Sequence, residues 1–133
     1  MMADVAALYA AAGGAVVEVQ PASEPLVIQA DYDELRRALI NLVTNARQAR
    51  AAQVTLSAAP EDGYARLDVV DDGSGIPAEM QARLFDPSFT TKTSGTGLGL
   101  PIVKRIIDDC GGAIEITSPP AGGTQITIRL PMV

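Results

Sequence analysis

Three segments of this chain alternate apolar and polar residues with a period of two, and no other feature restricts the fold so sharply. Val54, Leu56 and Ala58 interleave with Gln53, Thr55 and Ser57. Ala65, Leu67 and Val69 interleave with Arg66 and Asp68, and Ile126, Ile128 and Leu130 with Gln125, Thr127 and Arg129. Ile114 and Ile116 give a shorter run of the same kind. Successive side chains of a strand point to opposite faces, so each run is a strand with one dry and one wet side. Such a sheet needs helices over its dry side only.

The helices are marked as clearly. Asp31 followed by Glu34 reads as a capping box, and Leu35, Ala38, Leu39, Leu42, Val43, Ala46 and Ala49 then keep a 3.6-residue period that defines a buried face. Pro77 suits the first turn of a short helix near 77–84. Another helix spans roughly 98–110 and ends at Gly111-Gly112, a C-terminal cap. Upstream, residues 16–20 and 26–30 are short β-rich runs separated by a turn containing Pro21 and Pro25. The fold class implied is α+β: a two-layer α/β sandwich in which a mixed, mostly antiparallel sheet carries its helices on one face. A length of 133 residues suits one domain, 1–133, with one core.

Composition removes several kinds of chemistry. The chain has no histidine, so it holds no Ser-His-Asp triad, no histidine-ligated metal and no phosphohistidine of its own. Sixteen acidic residues against ten basic ones leave a net charge of −6, which argues against a nucleic-acid surface. The single cysteine, Cys110, cannot form an internal disulfide and reads as a small semi-buried thiol in a reducing compartment. No apolar run approaches the ~18 residues of a membrane span. The opening from Met2 to Val19 is interrupted by Asp4 and Gly13-Gly14 and lacks a basic leader, which argues against a signal peptide. We read the chain as a soluble cytoplasmic domain, a piece of a longer protein, without direct membrane contact.

Three local patterns carry candidate chemistry. Asn41 and Asn45 lie four apart in the first long helix, so their amides share a face that Gln48 continues. They are either surface asparagines on a wet face or carbonyl ligands for one hard cation such as Mg²⁺. Asp71-Asp72-Gly73-Ser74-Gly75-Ile76-Pro77 follows a strand directly. It is either an ordinary acidic turn or a carboxylate fixed to accept from an exocyclic amine, with glycines that let a flat ligand approach. Gly95-Thr96-Gly97-Leu98-Gly99-Leu100 runs into a helix. It is a flexible glycine-rich loop or an anion cradle at a helix start, and it has neither the Walker A nor the Gly-x-Gly-x-x-Gly spacing.

Together, in this order, the patterns resemble the catalytic, ATP-binding domain of bacterial sensor histidine kinases, of the Bergerat-fold (GHKL) superfamily that includes the gyrase-type ATPases. Asn41-Leu42-Val43-Thr44-Asn45-Ala46 matches the N box, and Asp71 through Gly75 the G1 box. Leu84 through Thr91 looks like the F box, Gly95 through Leu100 matches the G2 box, and Gly123-Thr124 with Leu130-Pro131 resembles the closing strand. The similarity runs from about Val16 onward.

The resemblance implies ATP and Mg²⁺ as cofactors and assigns roles. Asp71 would bind the adenine amino group, Gly75 and Thr124 would line the ring, and Gly73 and Ile76 would belong to the same cofactor site; a carboxylate there would face the guanine carbonyl with its own lone pairs. Asn41 and Asn45 would carry Mg²⁺. Amides of Gly97, Leu98, Gly99 and Leu100, with Gly95 before them, would cradle phosphates. Residues 86–96 look like a lid bearing Thr90, Thr91 and Lys92, the last either a γ-phosphate contact or a solvated loop lysine. Many family members have a basic residue at the position of Gln48, although some nitrogen-regulatory-type kinases are similar to this chain in having glutamine. The acceptor histidine would sit on a separate dimerisation domain, with a response regulator downstream. Gyrase-type ATPases place a general-base glutamate where this chain has Asn41, so hydrolysis should be slow. The competing readings are a free-standing anti-sigma-type serine kinase of the same fold and a degenerate docking module without nucleotide.

Overall fold

The computed structural model describes residues 16–20, 26, 28, 30–48, 53–73, 99–118 and 122–132. Five strands form one sheet: β1 (Val16–Gln20), β2 (Gln53–Glu61), β3 (Tyr64–Asp71), β4 (Ala113–Thr117) and β5 (Thr124–Pro131), in the order β1-β2-β3-β5-β4. β1 pairs parallel to β2 and every other neighbouring pair is antiparallel. The parallel pair needs a crossover, which α1 (Tyr32–Gln48) supplies. α2 (Gly99–Asp109) stands between the β3 and β4 segments of the chain.

Alternation decides which side of the sheet is dry. Val54 and Leu56 of β2, Ala65 and Val69 of β3, and Ile126, Ile128 and Leu130 of β5 are buried. Leu35, Ala38, Leu39, Leu42 and Val43 of α1 join them, as do Val103, Ile106 and Ile107 of α2. The buried face of α1 expected from periodicity is the one observed as far as Val43; the side chain of Ala46 and all of Ala49 lie outside what is described. The mixed sheet and two-layer sandwich are as expected.

The opposite side of the sheet is polar but tied down. Arg66 binds Glu61 at 2.8 Å and Asp68 at 3.0 Å, and Arg129 binds Glu61 at 3.3 Å. Thr127 Oγ1 donates to Asp68 Oδ1 at 2.6 Å, and the threonine is buried although it faces away from the helices. Hydrogen bonds from Arg66 and then Arg129 hold the Glu61 carboxyl below the usual carboxylate range.

Helix ends follow their signals. Asp31 Oδ1 accepts from the Glu34 N–H at 3.1 Å, and the Asp31 carbonyl accepts from Leu35 at 3.0 Å. At the far end of α2, Gly111 takes φ 75, its N–H bonds the Asp108 carbonyl, and the Gly112 N–H bonds the Ile107 carbonyl, both at 3.0 Å. This is a Schellman cap, and glycine adopts its left-handed residue without strain. Of the run 26–30, residues 26, 28 and 30 are described: Ile28 forms an isolated antiparallel bridge to Met132, and Ala30 is a bend. Met132 lies just past the end of β5, beyond its pairing with β3 and β4. The expected helix near 77–84 lies outside the described residues.

Candidate functional site

The buried stripe of α1 fixes its rotation and therefore where its asparagines point. Leu42 and Val43 are fully buried, and Asn41 and Asn45 flank them half-buried. Among the described residues, one buried side-chain nitrogen, Asn45 Nδ2, lacks a hydrogen-bond partner. An orphaned buried donor costs about 1–3 kcal/mol, which marks a position shaped for something other than the fold itself. An amide can turn end for end and present its carbonyl oxygen instead. No cluster of three acidic or cysteine side chains suited to a metal exists among the described residues. Two amide oxygens with ligand oxygens and water fit a hard, octahedral cation of the Mg²⁺ kind.

Asp71 closes β3 on the helix-facing side, in phase with Ala65, Leu67 and Val69, and is only 9% exposed. Its Oδ1 accepts from the Gly73 N–H at 2.8 Å. Burial is the largest influence on this carboxyl and raises its pKa. The Gly73 N–H opposes that, Asp72 reinforces it, and the Thr124 N–H opposes it more weakly, for a net rise. Thr124, 4% exposed, is the register partner of Asp71 on β5. Asp72, next along the chain, points the other way. The Gln53 N–H donates to its Oδ1 at 3.0 Å, so it fastens the turn to β2. Of the Asp71-Asp72 pair, one carboxylate faces the helix layer and one is structural.

Topology brings the two patterns to one end of the sandwich. Val54 of β2 pairs with Asp71. The five-residue step from Gln48 to Gln53 places the end of α1 within roughly 18 Å of the start of β2. A groove of about 460 Å³ at the opposite end is lined by Asp31 and Glu34 from the start of α1 and by Ile106 and Cys110 from the end of α2. The helices thus run antiparallel, and the half of α1 bearing Asn41 and Asn45 lies toward Gly99 and Leu100 at the start of α2. Leu100 packs its side chain on the core. Gly75, Ile76, Thr90, Thr91, Lys92, Gly95, Gly97 and Leu98 lie outside the described residues, and so does the side chain of Gln48.

Two contributors had no role assigned from the sequence. The Asp72 clasp was legible in principle, because strand parity puts positions 71 and 72 on opposite faces. Gly123, noted beside Thr124 only in the resemblance to the closing strand, takes φ +84. Cys110 is half-buried, and burial, then Asp109 and Asp31, push its thiol up, away from nucleophilic character. No described helix is long and apolar enough to cross a membrane.

Residues 30–133 match the family described as histidine kinase-, DNA gyrase B-, and HSP90-like ATPase, and the chain belongs to that family. Within it, similarity points to sensor kinases. The chain is 45% identical over 109 residues to sensor histidine kinase ZraS of Salmonella typhimurium, covering 80% of this chain and 23% of that protein. The solved catalytic domain of histidine kinase ThkA superposes with a TM-score of 0.84 at 29% identity, covering 98% of this chain and 89% of that one. Full-length ShkA in complex with AMPPNP superposes with a TM-score of 0.80 at 33% identity, covering 99% of this chain and 29% of that one. Neither the anti-sigma-type kinase nor the docking module is favoured by these relationships.

Proposed function

We propose that this chain is one domain that binds Mg-ATP and presents the γ-phosphate to a histidine on a separate dimerisation domain, with phosphate passing later to a response regulator. The observation that carries the nucleotide reading is the buried Asp71 carboxylate. It is held by backbone N–H groups at the sheet end and retains lone pairs that can accept from an adenine amino group. Gly73, Gly75, Ile76 and Thr124 surround the ring in this reading.

Asn45 and Asn41 hold Mg²⁺ through their amide oxygens, and the ion neutralises charge on the phosphates when bound. Backbone amides of Gly97, Leu98, Gly99 and Leu100, with Gly95 before them, bind phosphate oxygens at the start of α2, where the helix dipole favours anions. Residues 86–96, with Thr90, Thr91 and Lys92, cover the phosphates, and Gln48 borders them from α1. The acceptor imidazole nitrogen attacks phosphorus, the bond from the γ-phosphorus to the bridging oxygen breaks, and ADP leaves with that oxygen. The imidazole must come from elsewhere, because this chain has no histidine. Asn41 has no basic lone pair at neutral pH, so water is not activated in its place and hydrolysis is slow.

Calorimetric titration with a non-hydrolysable ATP analogue, with and without Mg²⁺, tests this reading. Saturable binding tightened by Mg²⁺ is expected. No heat of binding at millimolar nucleotide would overturn it.

A further inference from the structure

Asp71 can read a ligand only if the backbone beneath it is fixed, and β5 approaches that backbone more closely than an ordinary residue allows. A Cβ built on Gly123 would overlap the Asp71 carbonyl oxygen and would lie 3.1 Å from the Asp71 carbonyl carbon and 3.2 Å from Asp72 Cα. These neighbours are main-chain atoms and cannot swing aside as a side chain would. Gly123 itself is buried, and the next residue, Thr124, turns its N–H toward the Asp71 carboxylate. On the other flank, Gln53 and Asp72 fasten the turn to β2. The end of β3 is thus gripped from both neighbouring strands, and the grip on the β5 side exists only because position 123 has no side chain.

We infer that Gly123 is a positioning residue for the candidate base-reading carboxylate, setting the distance between β3 and β5 at which Asp71 and Thr124 face one ligand. The inference rests on the nucleotide reading above and deepens it. Two other glycines separate this role from backbone strain. Gly122 takes φ +99 and Gly63, in the β2–β3 turn, φ +83, and neither would bring a Cβ within 4 Å of any atom. A side chain at those positions meets the same left-handed backbone without pressing on Asp71.

The experiment compares Gly123→Ala with Gly122→Ala and Gly63→Ala, and Gly123→Asn with Gly122→Asn, because asparagine tolerates positive φ best among residues with a Cβ. Affinities for non-hydrolysable ATP and GTP analogues are read by calorimetry, and the carboxyl titration of Asp71 by NMR without nucleotide. Both Gly123 variants should lose about tenfold or more in ATP-analogue affinity, the worth of a hydrogen bond to a charged group. GTP-analogue affinity should change less, so the preference narrows, and Asp71 should titrate closer to an ordinary aspartate. The Gly122 and Gly63 variants should keep the affinity, the preference and the titration. Equal effects at 122 and 123, or a parallel loss of both nucleotides, would overturn the inference. Unfolding of both Gly123 variants under conditions where Gly122→Asn stays folded would also overturn it, in favour of a role in the fold as a whole. If the parent chain binds neither nucleotide, the functional reading falls, while the NMR titration still decides whether Gly123 positions Asp71.

Discussion

Replacing Asp71 by Asn keeps the shape of the side chain and removes its charge, and the structure makes opposite forecasts for binding and for folding. In the parent, Oδ1 already accepts from Gly73 at 2.8 Å. Asparagine can keep that bond with its own oxygen, but the rest of the group becomes an NH₂ donor facing the amino group of adenine. What is lost is a hydrogen bond to a charged acceptor, about 1.5–3 kcal/mol, or roughly 10- to 150-fold in Kd. A guanine carbonyl would accept from the new donor, so the preference for ATP over GTP should narrow. Folding responds the other way. Burial, partly offset by the Gly73 N–H, holds the carboxyl above its ordinary value in the folded chain. Between the unfolded and folded pKa values the native state binds more protons, so stability falls as pH rises through that window, and the penalty is fully present above it. Asparagine has no proton to lose. Nucleotide-free Asp71→Asn should therefore be no less stable than the parent at neutral pH, and any advantage should vanish below the ordinary carboxylate range. Urea melts at neutral and acidic pH, with calorimetry on the same samples, read both quantities. An unchanged Kd would refute the adenine assignment. A clear loss of stability at neutral pH would show that the carboxylate serves the fold instead.

Three further outcomes are expected. Asn45→Ala should abolish most of the Mg²⁺ dependence of ATP-analogue affinity and leave urea stability nearly unchanged, because the lost Nδ2 has no partner in the fold. Ile107→Ala, at a position with 0% exposure on the buried face of α2, should cost about 2–5 kcal/mol with an unchanged denaturant slope. Asp31→Ala should cost about 1 kcal/mol by removing the acceptor for the Glu34 N–H, and Asp31→Asn should restore most of it, both measured by urea melts.

What sequence alone could reveal follows from how local each determinant is. The strands at 53–61, 64–71 and 124–131 were legible because one face of each is dry, and the period of two records that asymmetry residue by residue. The rotation of α1, and with it the placement of Asn41 and Asn45, was legible because Leu35 to Val43 define its buried stripe. At 26–30 the composition suits a strand, but the partner found for Ile28, Met132, lies about a hundred residues further along the chain and no local pattern names it. β-propensity describes fitness for a sheet surface and says nothing about which partner is met there.

The site divides along the same line. Asp71 announces itself through the glycines that follow it, and strand parity alone assigns it to the helix side and Asp72 to the clasp. Gly123 enters the sequence reading only through the resemblance to a closing strand, because its contact with a carbonyl some fifty residues earlier in the chain leaves no local mark. Alternation fixes which face of β5 is buried, but sliding the strand by two residues against β3 would bury the same face with a different partner for Asp71. In the observed register Thr124 lies opposite Asp71, the preceding residue comes to lie against the Asp71 carbonyl, and a residue without a Cβ fits there. Gly123 therefore suits the pairing observed, and the geometry of the candidate site and the pairing of the sheet meet at that one residue.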